Sequence, residues 1–185
     1  MSVLLITYPR SGQHLLREHI LQMLDVECGW THSLLKKHDF DKTITIIRDP
    51  KEAMASWISM ELYYEEIDPT RKKQTLDFYL EAAKKEYALF YNYAKKNIDI
   101  FIQYLDLIDN PKKIILFLSK ELKVNIKNNN FTNTIIDNPD SRHLVSSKNV
   151  LQYNSVLEKI NNVDLKIFED FYNDLDSMCI KDFTK

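Results

Sequence analysis

A β-branched, apolar run at Val3–Thr7 stops at Pro9-Arg10-Ser11-Gly12, and by Gln13 a helical pattern has begun. No other stretch constrains the fold as tightly, because a buried strand must become a helix within a few residues. Downstream, Leu16, Ile20, Met23 and Leu24 recur at helical spacing across Gln13–Leu24. The chain has only two glycines, Gly12 and Gly29. Gly12 falls where so tight a turn needs backbone freedom.

The same order recurs further on. Thr43–Ile47 reads as a second strand, and Asp49-Pro50-Lys51-Glu52 as a helix start. Asp49 suits the N-cap, Pro50 the first helical position, and Glu52 completes a capping box. That helix is expected to run to about Leu62. Gln74 to Lys95 reads as a long helix, with Leu76, Leu80, Ala83, Tyr87, Phe90 and Ala94 forming one apolar stripe suited to core packing. Ile98–Tyr104 is a third strand candidate and Pro111–Leu122 a helix. Asn125–Asn138 reads as loop-rich, and Val156–Met178 as helical. Alternating strands and helices predict an α/β fold of three layers, a central, mostly parallel sheet with helices on both faces. With 185 residues and no linker or repeat, a single domain covering 1–185 is expected.

Composition narrows the partners. A formal net charge of −2 provides no global basic field, so neither nucleic acid nor an anionic membrane is expected as a partner. Val3–Ile6 is too short for a signal-peptide core, and no stretch approaches a membrane span, so a cytoplasmic location is expected. Cys28 and Cys179 have no metal-ligand spacing, and no metal is called for.

Two places suit an anion. At Tyr8–His14 the first turn of a helix leaves backbone N–H groups without acceptors, and the helix dipole favours negative charge there. Gly12 keeps side chains out of the way, Arg10 adds a permanent charge, and Ser11 adds a hydroxyl donor. The pattern differs from the Walker A loop, which needs Gly-x-x-x-x-Gly-Lys-Ser/Thr. At the second strand, Arg48 stands at the carboxyl end and Ser56 eight residues later, on the second turn of the helix. Ligands bind at that edge of open parallel sheets, where an arginine fork and a hydroxyl can converge on one phosphate. Taken singly, the first stretch fits an ordinary βα turn with a solvated arginine equally well, and for the second the plainer reading is favoured, with Arg48 paired to a surface carboxylate and Ser56 filling the helix.

Together, Tyr8–Leu16 and Ile46–Ile58 resemble the signature regions of sulfotransferases that use 3′-phosphoadenosine 5′-phosphosulfate (PAPS). In that family a Thr-x-Pro-Lys/Arg-Ser-Gly loop holds the 5′-phosphosulfate. A second unit, Arg, then Asn/Asp-Pro-Lys, then Ser eight after the Arg, holds the 3′-phosphate. Here Arg48-Asp49-Pro50-Lys51 and Ser56 fit the second pattern. Trp30-Thr31-His32 is similar to the family's Lys-Thr-His segment, which carries the catalytic base. Tyr104-Leu105-Asp106-Leu107 is similar to a strand ending in Tyr-Glu-Asp-Leu, whose Tyr lies near the adenine. Ser141-Arg142-His143 through Lys148 corresponds, more distantly, to a late Arg-Lys-Gly cofactor loop. The likeness touches most of Met1–Lys123. Gln13 and His14 stand where the family has Ser or Thr, Trp30 where it has Lys, and the late segment lacks Gly.

The resemblance implies a P-loop-kinase-like sulfotransferase architecture and transfer of the sulfuryl group of PAPS to a hydroxyl or amine acceptor, either a small molecule or a glycan. The product nucleotide is 3′,5′-adenosine bisphosphate (PAP), and no metal takes part. Carried over residue by residue, it makes Arg10 and His32 catalytic. It assigns Arg10, Ser11, Gly12, Gln13, His14, Arg48, Ser56, Tyr104 and Arg142 to the nucleotide. His38, His14 and Glu61 compete with His32 as general base, and His19 reads as structural or exposed. Trp30, Trp57, Tyr63 and Tyr64 are candidates for an aromatic acceptor pocket, although core packing explains Trp57 equally well. A kinase-like phosphotransferase and a non-catalytic nucleotide-binding relative stay open as alternatives. The sequence names neither the acceptor nor the oligomeric state.

Overall fold

The structure, a computed structural model, describes residues 1–34, 39–127 and 147–179. Its described strands are β1 (Ser2–Ile6), β2 (Glu27–Thr31), β3 (Lys42–Ile47) and β4 (Ile100–Gln103). The described helices are α1 (Gln13–Met23), α2 (Pro50–Ile67), α3 (Leu76–Asn97), α4 (Tyr104–Asp109), α5 (Pro111–Leu122), α6 (Ser147–Asn161) and α7 (Lys166–Ser177). The four strands form one parallel sheet in the order β2-β1-β3-β4. The α/β expectation of a parallel sheet between helical layers is met in that form.

Side chains alternate across the sheet, as a period of two requires. Val3, Leu5, Ile44, Ile46, Ile100 and Ile102 pack with α1 and α5 through Leu16, Ile20, Ile114, Ile115 and Leu118. Ile47 and Phe101 belong to the opposite core, with α2, α3 and α7. That second core holds Ala53, Met54, Ile58, Tyr87, Phe90, Phe168 and Leu175. The β1–α1–β2 crossover runs one way along the sheet and the β3–α2–α3–β4 crossover the other. Crossovers of one hand running in opposite directions place their helices on opposite faces.

Helix ends follow local chemistry. The Asp49 side chain accepts from the Glu52 N–H at 3.1 Å with Pro50 in the first turn, and Thr75 caps α3 through the Phe78 N–H at 3.2 Å. The Glu52 carboxylate does not complete the expected box with a reciprocal bond to Asp49; it pairs with Arg48. Glu65, buried, joins α2 to α3 by accepting from the Gln74 N–H at 2.7 Å and the Tyr79 hydroxyl at 2.8 Å. In this glycine-poor chain Lys123 takes the left-handed position after α5, at φ 54°, and the Val124 N–H returns to the Ser119 carbonyl at 3.0 Å.

Several boundaries differ from the sequence reading. β2 was not expected, because Glu27-Cys28-Gly29-Trp30-Thr31 lacks an apolar run. α2 runs to Ile67 instead of Leu62. Tyr104 opens α4 instead of closing β4. The Val156–Met178 stretch is two helices, parted at 162–165, where the Asp164 carboxylate accepts from the Lys166 N–H at 3.0 Å. Of the Asn125–Asn138 segment, only 125–127 lies within the described residues, with Ile126 bridging to Leu24.

Candidate functional site

All four strands are parallel, so their carboxyl ends share one edge. The chain leaves β1 towards β2 and leaves β3 towards β4, in opposite directions. The crevice between β1 and β3 is therefore the switch point, where open α/β sheets bind ligands. Thr7–Gly12 and Arg48–Asp49 border it.

α1 begins at Gly12, which sits in the left-handed region at φ 88°. No side chain caps it, and no acidic residue lies in its first turn. Its initial N–H groups and the positive end of its dipole are thus unopposed by a built-in carboxylate. Ser11 is buried. Thr7, also buried, has a hydroxyl oxygen without a hydrogen-bond partner among the described residues. Arg10 is held at φ 66°, a conformation L-residues avoid at a cost of roughly 1–2 kcal/mol.

Arg10 is the centre of the cluster. Its Nε donates to Ser56 Oγ at 3.4 Å, and its carbonyl accepts from Arg48 Nη1 at 3.0 Å. Burial lowers the pKa of the Arg10 guanidinium; Tyr64 opposes that shift, and the nearby charge of Arg48 adds to it. Arg48 also pairs with Glu52, at 3.2 Å from Nε, and its guanidinium carbon lies 4.5 Å from the centroid of the Tyr104 ring. Tyr104 in turn touches the loop: a Cβ placed on Gly12 would stand 2.9 Å from two of its ring carbons. Arg48 and Ser56, expected to converge on one phosphate, both contact Arg10, Arg48 at its carbonyl and Ser56 at its Nε. A pocket beside them is lined by Ile47, Arg48, Asp49, Glu52, Tyr104 and Tyr172, among others.

His32 follows the end of β2, exposed. Its Nδ1 lies 2.9 Å from the Thr7 carbonyl oxygen. A carbonyl only accepts, so Nδ1 carries the proton, and in the neutral ring Nε2 is the atom with the lone pair. That is the tautomer a general base needs, with the ring oriented by the loop strand itself.

Two expected ligands use their side chains elsewhere, while their backbone N–H groups stay in the first turn of α1. The Gln13 side chain is buried and turned to the sheet, where Nε2 donates to the Leu5 and Thr31 carbonyls at 3.1 and 3.2 Å. Any contribution of Gln13 to an anion is confined to its backbone N–H. His14 is exposed and meets the edge of Trp30 at 5.1 Å, and Trp30 meets His32 at 5.8 Å. Arg142 and His38 lie outside the described residues.

The other candidates separate. Glu61 is ion-paired to Arg71 at 3.0 Å, and Arg71 lies over the Tyr64 ring. His19 is buried in α1, the structural half of its expected reading. Trp57 packs against Tyr79 beside the core, Tyr63 pairs with Tyr64, and Trp30 stands with the two histidines. The four aromatics thus divide among separate contacts. Sequence reasoning missed Tyr64 as a neighbour of Arg10 and Glu52 as the partner of Arg48. The i,i+4 spacing of Arg48 and Glu52 was the available signal for the second. Among the described residues no group of three metal-ligating side chains occurs, and no helix is long and apolar enough to cross a membrane.

No protein-family model, no curated protein and no solved structure matches this chain.

Proposed function

We propose that this protein transfers the sulfuryl group of PAPS to a hydroxyl or amine acceptor. The observation that carries the reading is the Arg10 cluster at the β1/β3 crevice, joined to an uncapped α1 N-terminus and flanked by His32 with its Nε2 open.

In this reading the loop N–H groups and Arg10 hold the 5′-phosphosulfate, while Arg48 and Ser56 supply the site of the 3′-phosphate. Sulfuryl transfer, like phosphoryl transfer, has a loose, in-line transition state, so positioning and charge stabilisation do most of the catalysis. The bond from sulfur to the acceptor oxygen or nitrogen forms as the bond from sulfur to the 5′-phosphate oxygen breaks. Arg10 stabilises the charge that grows on the departing phosphate. His32 Nε2 takes the acceptor proton, and the Thr7 carbonyl, bound to Nδ1–H, steadies the imidazolium that results. PAP leaves as the second product.

The test is incubation with PAPS and a panel of hydroxyl and amine acceptors, read by intact-mass detection of sulfated product and release of PAP. Turnover on any acceptor supports the reading. A protein stabilised by ATP–Mg²⁺ and not by PAP in a thermal shift would move it to the phosphotransferases.

A further inference from the structure

The Tyr104 ring is occupied on two sides by the protein itself. Its Cδ2 and Cε2 atoms lie against Gly12, where a single added carbon would come within 2.9 Å of both. Its face lies under the Arg48 guanidinium at 4.5 Å. Arg48 in turn donates to the Arg10 carbonyl at 3.0 Å. Tyr104 sits at the corner where β4 ends and α4 begins, and Leu107 of α4, fully buried, comes within 3.6 Å of the same Gly12 position.

We propose that Tyr104 is a positioning residue for the anion loop, holding Gly12 and, through Arg48, Arg10 in their left-handed conformations, and that it does not serve as a stacking platform for the nucleotide base. Both residues on either side of Ser11 have positive φ, at 66° and 88°. Arg10 in particular holds a conformation that the surrounding structure must enforce. Among the contacts that reach it from outside the loop are the Tyr104 ring on Gly12 and the Arg48 donor on the Arg10 carbonyl. Tyr104 joins them, because the aromatic face attracts and orients the guanidinium. Only the ring is needed for this; the phenolic oxygen is not.

The inference rests on the loop being an anion site, as in the function proposed above, and the test separates the two. Tyr104→Phe, Tyr104→Leu and wild type are titrated calorimetrically with PAP and with inorganic pyrophosphate, which has no base. Thermal unfolding confirms that each variant is folded. A positioning role has Tyr104→Leu weaken both ligands by the same factor, about tenfold or more, while Tyr104→Phe stays within about twofold of wild type. The PAPS turnover of Tyr104→Leu at saturation also falls, because Arg10 is displaced. If Tyr104→Leu weakens PAP and leaves pyrophosphate untouched, Tyr104 stacks on the base and the proposal is wrong. It is equally wrong if Tyr104→Leu leaves both affinities unchanged. Wild type that binds pyrophosphate and ignores PAP defeats the sulfotransferase reading alone, and the pyrophosphate series still decides the role of Tyr104. Wild type that binds neither overturns both.

Discussion

Arg48 Nη1 donates to the backbone carbonyl oxygen of Arg10 at 3.0 Å, so one arginine of the candidate site fixes the backbone of the other. The two cations repel, and Glu52 on Arg48 together with the Ser56 hydroxyl on Arg10 offsets that repulsion. An anion placed between them would offset it further, as the proposed phosphate site requires.

Arg10→Gly separates charge from backbone conformation. Glycine adopts φ 66° without the penalty an L-residue meets. The variant's stability is expected to stay within about 1 kcal/mol of wild type, because the relieved backbone penalty is set against the greater freedom of its unfolded chain and the lost bond to Ser56. The variant is also expected to lose turnover more than nucleotide affinity, since charge on the leaving oxygen grows as the S–O bond breaks. Denaturant unfolding and saturation kinetics check the two halves. Normal turnover at saturation with weakened binding would make Arg10 a binding residue only.

His32→Ala is expected to leave PAP affinity intact and to slow transfer by about 10²–10⁴-fold, the usual effect of losing a positioned general base. His38→Ala is the control. If His38→Ala abolishes transfer and His32→Ala does not, the base is His38.

Gln13 supports the sheet, and its replacement should be read as a stability change. Gln13→Leu removes the donor shared by the Leu5 and Thr31 carbonyls. The expected loss is about 1–3 kcal/mol, measured by chemical denaturation. Unchanged stability would mean that the brace between β1 and β2 contributes nothing.

The pattern of residues exposed the strand–loop–helix units because each is local: Val3–Thr7 into Gln13, and Thr43–Ile47 into Asp49-Pro50, carry their own periodicity and caps. Arg10, Gly12, Arg48 and Ser56 were legible for the same reason. β2 was not, since Glu27 and Gly29 interrupt any apolar pattern and the strand exists by pairing with β1 from Ser2↔Glu27 to Ile6↔Thr31. The strand order was equally hidden, because parallel pairing across a crossover leaves no local mark. Contacts such as Tyr104 on Gly12, or Gln13 on Thr31, depend on that order.

His19 gives the fold a pH dependence. Burial pulls its pKa down from 6.5 to about 4. Above pH 6.5 the imidazole is neutral in both folded and unfolded chains. As pH falls from 6.5 to about 4, the unfolded chain takes up the proton first, so stability is lost across that window and no further below it. The full loss is on the order of 3 kcal/mol. Melting temperatures of wild type and His19→Met measured across the window should converge at its acid end or cross. Parallel profiles would remove His19 as the cause.

The most direct measurement compares PAP with AMP by calorimetry on wild type and on Arg48→Ala. The two nucleotides differ by the 3′-phosphate, and a charge-assisted contact from a partly buried arginine contributes on the order of 1.5–3 kcal/mol. Wild type is expected to bind PAP about ten- to a hundredfold more tightly than AMP, and Arg48→Ala to lose most of that difference. Equal affinity of wild type for the two nucleotides would contradict a 3′-phosphate site at Arg48 and Ser56, and with it the use of PAPS.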